Sequence, residues 1–344
     1  MRAFQFVAWQ TPPELRDVAV PEPGPGEVLV RVAASGACHS DLHIMDVPAG
    51  FMPFTLPFTL GHETAGYVEA VGAGVRSRRP GEAVAIYGPW GCGACRPCRR
   101  SSENYCEHAS EIDGAGGGLG RDGGMAEYVL VPSERLLVPL GDLDPVDAAP
   151  LADAALTPYH AIARSRSALV PGTTAVVIGV GGLGHMAVQI LRALTSARVI
   201  AVDSADAKLE LARSLGADEA WNASDDVAAR VKAATNGLGA ELVVDFVGAD
   251  TTLSIAASAV RSCGDVTIVG MALGTLPVNF TTVPYEASVQ TTYWGSLLEL
   301  TEVLALARAG ALRAHVERFA LDDAGVAYER LRDGSIAGRA VVVP

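Results

Sequence analysis

The sequence has few basic residues, and this shortage limits what the protein can bind. Its 344 residues include 26 Lys and Arg against 39 Asp and Glu, which gives a formal net charge of −13. Binding along a phosphate backbone requires a basic face. We therefore expect a small-molecule substrate and no nucleic-acid partner.

Long hydrophobic runs are also lacking. No continuous apolar stretch of about 18 residues that is free of charge and proline appears, as a membrane span requires. The N-terminal segment MRAFQFVAWQTPPELRDV has no continuous apolar run of the kind found in a secretory signal. We therefore expect no membrane partner and a cytoplasmic protein. With 49% hydrophobic and 19% charged residues, the chain can bury a sizeable core.

Cysteine is scarce, yet four of the six cysteines fall within one short loop. The segment GPWGCGACRPCRRSSENYC has the spacing C-x2-C-x2-C-x7-C, formed by Cys92, Cys95, Cys98 and Cys106. Disulfides, a metal cage, an iron–sulfur site and a redox pair all remain open from this spacing. Disulfides rarely persist in the reducing cytoplasm, so a metal site is favoured there.

The pattern of the chain changes near residue 153. Before it, short apolar runs such as EVLVRVAA and AGYVEAV alternate with turn sequences such as PEPGPGE, which predicts a β-rich domain. After it, β-branched runs alternate with helical segments, which indicates βαβ units and a parallel sheet. The sequence therefore predicts an α/β protein of two domains.

A glycine-rich motif lies at the start of the second half. AVVIGVGGLG places Gly179, Gly181 and Gly184 in a G-x-G-x-x-G between a predicted strand and a helix, and Asp203 ends the next strand. Such a turn brings a dinucleotide pyrophosphate to the helix N-terminus, and the carboxylate accepts hydrogen bonds from the ribose. Because no arginine follows Asp203, NAD is favoured over NADP; an ordinary strand–helix turn is the alternative. We assign to the cofactor the loop residues Gly182 and Leu183 as well, and also Lys208, for which a solvated helix lysine is the alternative.

A second set of metal-binding residue types lies upstream of the cysteine loop. Cys38 and His62 each follow a predicted strand, and a cytosolic Cys–His pair is typical of zinc sites. GHETAGYVEAVGAGV matches the zinc-containing alcohol dehydrogenase signature G-H-E-x2-G-x5-G-x2-V. With the cysteine loop and the nucleotide motif, this signature identifies the chain as similar to the zinc-dependent, medium-chain alcohol dehydrogenases. Its GPWGCGAC, PLADAALTPYHA and YWG segments resemble those of bacterial secondary-alcohol dehydrogenases of the Rhodococcus type.

The resemblance implies an organisation for the whole chain. Residues 1–153 would form a GroES-like, β-rich catalytic domain with a structural-zinc lobe at about residues 88–110. Residues 154–290 would form a doubly wound, parallel-sheet Rossmann domain for NAD, and residues 291–344 would return to the catalytic domain. Family members are usually dimers or tetramers, so we expect a homo-oligomer.

Two zinc ions per chain are implied by the same resemblance. The four loop cysteines would hold a structural zinc, and Cys38, His62 and Asp153 would hold a catalytic zinc. Asp153 stands where many relatives have cysteine, and the resembled secondary-alcohol enzymes share it. Glu63 would either approach this zinc or pair with a nearby cation. We expect Cys263, in the nucleotide half, to be buried packing.

The family's reaction is hydride transfer from an alcohol to nicotinamide, assisted by zinc as a Lewis acid. Ser40 and then His43 would carry the released proton to water, since His has a suitable pKa for a shuttle. By family position, Arg339 would touch the pyrophosphate, with an ordinary surface arginine as the alternative. The remaining residues expected at the cofactor are His39, Thr157 and Val269.

The substrate side chains expected from family position are largely apolar. This composition favours simple or aryl-alkyl secondary alcohols and their ketones, with some primary alcohols and aldehydes. The alternatives are a polyol or an aldehyde/formaldehyde dehydrogenase of the same superfamily and, less favoured, an inactive NAD-binding zinc protein. The expected pocket residues are His43, Phe54, Leu119, Met271, Tyr293 and Trp294.

Overall fold

A computed structural model describes all residues from 1 to 344, and they form two compact units. The first unit comprises Met1–Leu156 and Gly295–Pro344, and the second comprises Thr157–Trp294. Because the chain leaves the first unit and later returns to it, residues far apart in sequence meet there.

The chain forms eighteen strands and nine α-helices. The strands are β1 (Arg2–Phe6), β2 (Glu14–Asp17), β3 (Val28–Gly36), β4 (Phe58–Thr59), β5 (Glu63–Val71), β6 (Ala83–Ile86), β7 (Gly116–Gly117), β8 (Gly120–Arg121), β9 (Tyr128–Val131), β10 (Leu137–Pro139), β11 (Thr174–Ile178), β12 (Arg198–Asp203), β13 (Glu219–Asn222), β14 (Ala240–Asp245), β15 (Val260–Ile268), β16 (Ser288–Thr291), β17 (Val316–Ala320) and β18 (Arg339–Val343). The helices are α1 (His39–Asp46), α2 (Pro145–Ala148), α3 (Leu156–Ala163), α4 (Gly184–Leu194), α5 (Asp206–Ser214), α6 (Val227–Ala234), α7 (Asp250–Ala259), α8 (Leu297–Arg308) and α9 (Ala324–Arg332). None of these helices combines the length and the hydropathy of a membrane-spanning segment.

The first unit is built around strand β3. The main sheet has the order β10-β6-β5-β3-β18-β17, with β9 also paired to β3. Seven of the nine residues of β3 are buried, so this strand contributes to the core along most of its length. Strand β18 runs antiparallel to the end of β3 and pairs Val341 with Gly36. The C-terminal strand therefore lies beside the point where the chain leaves β3 for α1.

The second unit is a parallel sheet of the order β13-β12-β11-β14-β15-β16. All five residues of β11, TAVVI, are buried, which is the pattern of a parallel strand covered on both faces. The strand order reverses between β11 and β14, and ligands of open α/β sheets bind outside the carboxyl ends of the strands at such a point. The α/β fold class predicted from the sequence, with one β-rich unit and one doubly wound unit, is confirmed.

Candidate active site

The four cysteines of the loop come together at one point. The Sγ atoms of Cys92 and Cys98 are 3.9 Å apart, as are those of Cys95 and Cys106. All four Sγ atoms lie within 4.8 Å of one another. In a tetrahedral zinc site with Zn–S bonds of about 2.3 Å, neighbouring sulfurs are about 3.8 Å apart. The cysteines are free thiols, and their spacing fits a closed four-thiolate zinc shell.

Backbone N–H groups donate hydrogen bonds to the sulfur atoms of this loop, which favours their thiolate form. The N–H groups of Ala94 and Cys95 donate to Cys92 Sγ at 3.4 and 3.3 Å, and that of Cys92 donates to Cys106 Sγ at 3.3 Å. The two bonds from Ala94 and Cys95 lower the pKa of Cys92 to about 6. A low thiol pKa favours the deprotonated form that binds a metal.

An ion pair fastens the cysteine loop to the rest of the first unit. Arg135, in the turn before β10, binds the buried carboxylate of Glu103, which lies between Cys98 and Cys106 in the sequence. The same guanidinium donates to the carbonyl of Gly91 at 3.1 Å. Both ends of the loop are thus held by one side chain.

A second group forms from Cys38, His62, Glu63 and Asp153, whose ligand atoms also lie within 4.8 Å of one another. Cys38 caps the start of α1, His62 precedes β5, and Asp153 ends the turn Ala149–Ala152. Asp153 Oδ2 is 3.9 Å from Cys38 Sγ and 3.7 Å from His62 Nε2. Ligands with zinc bonds of about 2.0–2.3 Å are about 3.3–3.8 Å apart. The donors and their spacing therefore fit a zinc with three protein ligands.

Glu63 is bound by an arginine inside the protein. Arg339 Nε donates to Glu63 Oε2 at 2.8 Å, and Arg339 Nη2 donates to Glu63 Oε1. Burial raises the pKa of Glu63 to about 7, against the opposing effect of the guanidinium. A Cβ atom at Gly36 would lie 1.9 Å from Glu63 Oε2, so only glycine leaves room for this carboxylate. Of the two roles considered for Glu63, the pair with a cation is present, and an approach to zinc stays a prediction.

Arg339 is buried, whereas one interpretation of the sequence placed it on the surface. It is 2% exposed, and its Nη2 also lies 3.8 Å from Asp153 Oδ2. The alternative of an ordinary surface arginine is wrong, because β18 lies between β3 and β17 in the sheet and Arg339 is buried against Glu63. A contact of Arg339 with the cofactor pyrophosphate stays a prediction.

Two residues of this site were missed by sequence reasoning. Asp41 Oδ1 lies 3.0 Å from His62 Nδ1, and its Oδ2 accepts the backbone N–H of Cys38 at 3.0 Å. Tyr328, on α9, places its hydroxyl 2.8 Å from the same Oδ2. An acidic residue three positions after a helix N-cap is a recognisable capping signal, so Asp41 was detectable. Nothing local in the sequence marks Tyr328.

Burial and nearby carboxylates have opposite effects on His62. Burial disfavours its charged form, but Asp41 and Asp153 together with Cys38 outweigh burial and raise the pKa of His62 well above its usual value. A histidine binds a metal through its neutral imidazole. A proton and a metal ion would therefore compete for the His62 ring, which lies between the carboxylates of Asp41 and Asp153.

The two predicted relay residues lie on α1. Ser40 Oγ is 3.5 Å from Cys38 Sγ, beside the ligand group. His43 is half-buried one turn later, and burial lowers its pKa, partly offset by Asp46. A lowered pKa leaves His43 neutral near pH 7 and able to accept a proton.

The predicted nucleotide residues gather at the carboxyl ends of β11 and β12. Gly179 follows β11, and α4 begins at Gly184, where a Cβ atom would lie 1.8 Å from the carbonyl oxygen of Gly179. Asp203 ends β12, and its carboxylate accepts the N–H of Val180 at 2.7 Å and that of Ala205 at 3.0 Å. The strand-end carboxylate therefore lies against the glycine turn, as a ribose-binding residue must.

The other predicted cofactor residues fall in different places. His39 is exposed at the first turn of α1, and Thr157 is buried in α3. Val269 follows β15 and donates its N–H to the carbonyl of Asp245 at 2.8 Å. Four other predicted cofactor residues are half-buried, three in the glycine turn and one in α5: Gly181, Gly182, Leu183 and Lys208.

The predicted pocket residues divide between the units. In the first unit, Leu119 is buried, and Phe54 is half-buried with its ring 6.0 Å from that of Phe58. In the second unit, Met271 and Tyr293 are 54% and 46% exposed, whereas Trp294 is buried. His43 belongs to the first unit.

Cys263 corrects one expectation, because it is exposed and not buried packing. The register between β14 and β15 shifts between Ala240 and Leu242, and the latter pairs with Asp265. The residues of β15 before Asp265 thus bulge from the sheet, and Cys263 takes a φ of 61°. Its Sγ faces Glu286 Oε2 at 3.7 Å.

Comparison with known proteins agrees with this site. The alcohol dehydrogenase GroES-like domain family matches residues 24–142, and the zinc-binding dehydrogenase family matches residues 182–309. An NAD-dependent alcohol dehydrogenase of Sulfurisphaera tokodaii is 36% identical, with all of both chains covered. A D-arabinose 1-dehydrogenase (NADP+) of Saccharolobus solfataricus is 33% identical, with 100% of this chain and 97% of that protein covered.

Solved structures show the same fold. The alcohol dehydrogenase of Aeropyrum pernix superposes with a TM-score of 0.92 at 35% identity, covering all of both chains. Acetophenone reductase of Geotrichum candidum, in complex with NAD, superposes with a TM-score of 0.83 at 33% identity, covering 100% of this chain and 97% of that one. The fold and the two ligand groups define a zinc-binding dehydrogenase. The chain belongs to the zinc-dependent, medium-chain alcohol dehydrogenase family, as predicted, and is an oxidoreductase that uses zinc and NAD.

Proposed function

We propose that this alcohol dehydrogenase prefers secondary alcohols and their ketones, and also turns over some primary alcohols. The observation that carries this proposal is that the carboxylates beside the ligand group already pair with groups of the protein. Glu63 is bound by Arg339, and Asp41 faces His62 and Tyr328. These carboxylates are therefore engaged, whereas recognition of a polyol requires polar groups for its extra hydroxyls.

Apolar side chains and one relative support the same substrate class. Phe54 and Leu119 offer hydrocarbon surface in the first unit. Acetophenone reductase, whose name states an aryl-alkyl ketone, covers the whole chain. D-arabinose 1-dehydrogenase is similarly related, so a polyhydroxyl substrate is the rival that the experiment below includes.

The first unit would hold both metals. Cys38, His62 and Asp153 are proposed as ligands of the catalytic zinc, and the four loop cysteines as ligands of the structural zinc. Three protein ligands would leave a position for substrate, and a zinc held there would supply a Lewis acid that lowers the pKa of the alcohol hydroxyl. Arg339 would offset the negative charge of Cys38, Glu63 and Asp153, since its guanidinium lies against the two carboxylates.

Ser40 and His43 are proposed to carry the hydroxyl proton away. Ser40 lies beside Cys38, and His43 follows it on the same helix with a pKa lowered by burial. A neutral imidazole accepts a proton and then exchanges it with water. Because His43 is half-buried, part of its side chain is open to the water that would receive the proton.

The second unit, Thr157–Trp294, is proposed as the NAD-binding domain. The pyrophosphate would lie at the N-terminus of α4, where free N–H groups and the helix dipole favour negative charge. Asp203 would accept the ribose hydroxyls and repel a 2′-phosphate. His39, Thr157, Lys208, Val269 and Arg339 are proposed as the further cofactor contacts.

We also propose a homo-oligomer that works in the cytoplasm. Strand β16 is the edge of the second unit's sheet, and apolar side chains near it are exposed, among them Phe280 and Tyr285 at 80% and 65%. An exposed strand edge with apolar neighbours favours pairing with another chain. The free thiols of the cysteine loop suit a reducing compartment.

One experiment tests the substrate class and the metal sites together. Zinc per chain is measured by mass spectrometry beside kcat/KM with NAD for 2-propanol, 1-phenylethanol, ethanol and D-arabinose. We expect one zinc for each of the two ligand groups and the highest kcat/KM values for the two secondary alcohols. A higher value for D-arabinose or ethanol would overturn the substrate class.

The Asp153→Ala variant serves as the test of the ligand set. It should retain the loop zinc, lose the other and lose turnover, whereas Cys263→Ser, at an exposed thiol, should retain both zincs and full activity. Two zincs in Asp153→Ala would contradict the proposed ligands.

A further inference from the structure

The C-terminal segment reaches the ligand group through helix α9. The ring of Tyr328 is buried and stacks on Phe4, with the centroids 6.1 Å apart and the planes 12° from parallel. Its hydroxyl lies 2.8 Å from Asp41 Oδ2 and 3.2 Å from Met125 Sδ. A carboxylate is the far stronger acceptor of the two, so the hydroxyl donates to Asp41.

Asp41 connects this hydroxyl to two candidate zinc ligands. Its Oδ2 accepts both the Tyr328 hydroxyl and the backbone N–H of Cys38, and its Oδ1 faces His62 Nδ1 at 3.0 Å. The Asp41 side chain is fully buried. Removal of the Tyr328 hydroxyl would leave Oδ2 with one donor fewer in a place that water does not reach, and the carboxylate would lose one of the contacts that fix its plane.

The phenol is suited to a donor role. Burial and the negative charge of Asp41 raise the pKa of Tyr328 well above its usual value. The hydroxyl thus keeps its proton at neutral pH.

We propose that Tyr328 is a positioning residue for the catalytic zinc site, which fixes the carboxylate of Asp41 and through it the ring of His62. A carboxylate behind a ligating imidazole sets the tautomer and the ring orientation, and loss of such a partner costs about 10–100-fold in metal affinity. Since Tyr328 acts one residue further out, its removal weakens zinc binding at this site by about tenfold, the lower end of that range. The inference rests on the proposed assignment of Cys38, His62 and Asp153 as zinc ligands.

The test compares Tyr328→Phe with a matched change on the same helix. Tyr328→Phe removes only the hydroxyl and keeps the ring on Phe4. Arg332→Gln removes another contact between α9 and α1, the ion pair of Arg332 with Asp46 at 2.7 Å, and leaves Asp41 untouched. Zinc release from each holoenzyme to the colorimetric chelator 4-(2-pyridylazo)resorcinol is titrated, and the d–d spectrum is recorded after cobalt exchange at the catalytic site.

We expect Tyr328→Phe to lose one of its two zincs at about one-tenth the chelator concentration that the parent enzyme requires, the factor given above, with altered cobalt bands. Arg332→Gln should match the parent enzyme. In addition, Tyr328→Phe combined with Asp41→Asn should bind zinc no more weakly than Asp41→Asn alone, because Tyr328 acts through Asp41.

Three outcomes would overturn the proposal. The first is a Tyr328→Phe enzyme with parental zinc release and cobalt spectrum, and the second is an equal loss of zinc in Arg332→Gln. The third is a Tyr328→Phe chain that does not fold, which would make the hydroxyl a general structural element. A parent enzyme with only one zinc would instead show that the proposed ligand set has failed, and the role of Tyr328 with it.

Discussion

Arg339 and Glu63 form a two-point ion pair in the interior of the first unit, with their side chains 2% and 0% exposed. The two residues are 276 positions apart in the sequence. A charge pair so far from water costs much desolvation, and removal of one partner leaves an uncompensated charge behind.

Arg339→Met should therefore destabilise the protein strongly. We expect a loss of about 3–5 kcal/mol in the free energy of unfolding, the usual cost of breaking a buried pair, measured by urea denaturation of the zinc-loaded enzyme. Arg332→Gln breaks an exposed pair with Asp46 and should cost at most about 1 kcal/mol.

The double variant Glu63→Gln with Arg339→Met distinguishes the origin of this loss. If the cost comes from the unpaired carboxylate, the double variant should be more stable than Arg339→Met alone. A double variant that loses the sum of both single effects would contradict the ion-pair explanation.

Cys95→Ala should remove the loop zinc and leave the catalytic site loaded. Because the four thiols that would form the shell lie within one loop, loss of one would open it, and a structural zinc contributes directly to folding. Zinc analysis should fall by one equivalent per chain, and the melting temperature should fall with it. Cys263→Ala, which removes an exposed thiol, is the control, and an unchanged zinc content in Cys95→Ala would refute the four-thiolate site.

Asp203→Asn should shift the cofactor preference toward NADP. The substitution keeps an oxygen acceptor for Val180 N–H but removes the charge that repels a 2′-phosphate. We expect the ratio of kcat/KM for NAD to that for NADP to fall at least about tenfold, which corresponds to about 1.4 kcal/mol. Asp206→Asn, at the exposed first residue of α5, should leave the ratio unchanged; a shift in both variants would point to general electrostatics.

Because its pKa is lowered in the folded state, His43 should reduce the free energy of unfolding as the pH falls below its ordinary pKa. Burial lowers its pKa from the ordinary value of 6.5, so the unfolded chain binds more protons than the folded one in the window below 6.5. Stability from this group is complete above pH 6.5 and is lost as the pH falls through that window. His43→Phe should flatten this part of the plot of unfolding free energy against pH. An identical slope in the two proteins would show that His43 is not the group responsible.

The relay role of His43 has a separate readout. If His43 accepts the proton from the Ser40 path, His43→Phe should change the pH–rate profile of alcohol oxidation as well as its rate. Phe54→Leu, an apolar change in the same unit, should alter KM and leave the profile in place. An unchanged profile in His43→Phe would leave Ser40 alone in the relay.

Most of the site was predictable because its motifs are local. The four loop cysteines lie within one short loop, Cys38 follows β3, His62 directly precedes β5, and Asp203 ends β12. Residue types at short spacing carry their chemistry in the sequence, and the resemblance then supplied Asp153. The α/β class followed from the change in the hydrophobic pattern near residue 153.

The rest depends on contacts that no local pattern encodes. Tyr328 meets Asp41 across 287 positions, and Arg339 meets Glu63 only because β18 pairs with the end of β3. Cys263 was expected inside, and the bulge in β15 turns it outside. Such long-range pairing and register shifts arise from tertiary structure, so a reading of the separate segments misses them.

The return of the chain to the first unit has a consequence for the order in which the enzyme matures. The loop cysteines are close together in sequence, so the loop can take up zinc while synthesis continues. The other ligand group is contacted by Arg339 of β18 and, through Asp41, by Tyr328 of α9, the last strand and the last helix described above. We therefore expect the loop to bind its metal earlier during synthesis than the group that includes Cys38, His62 and Asp153.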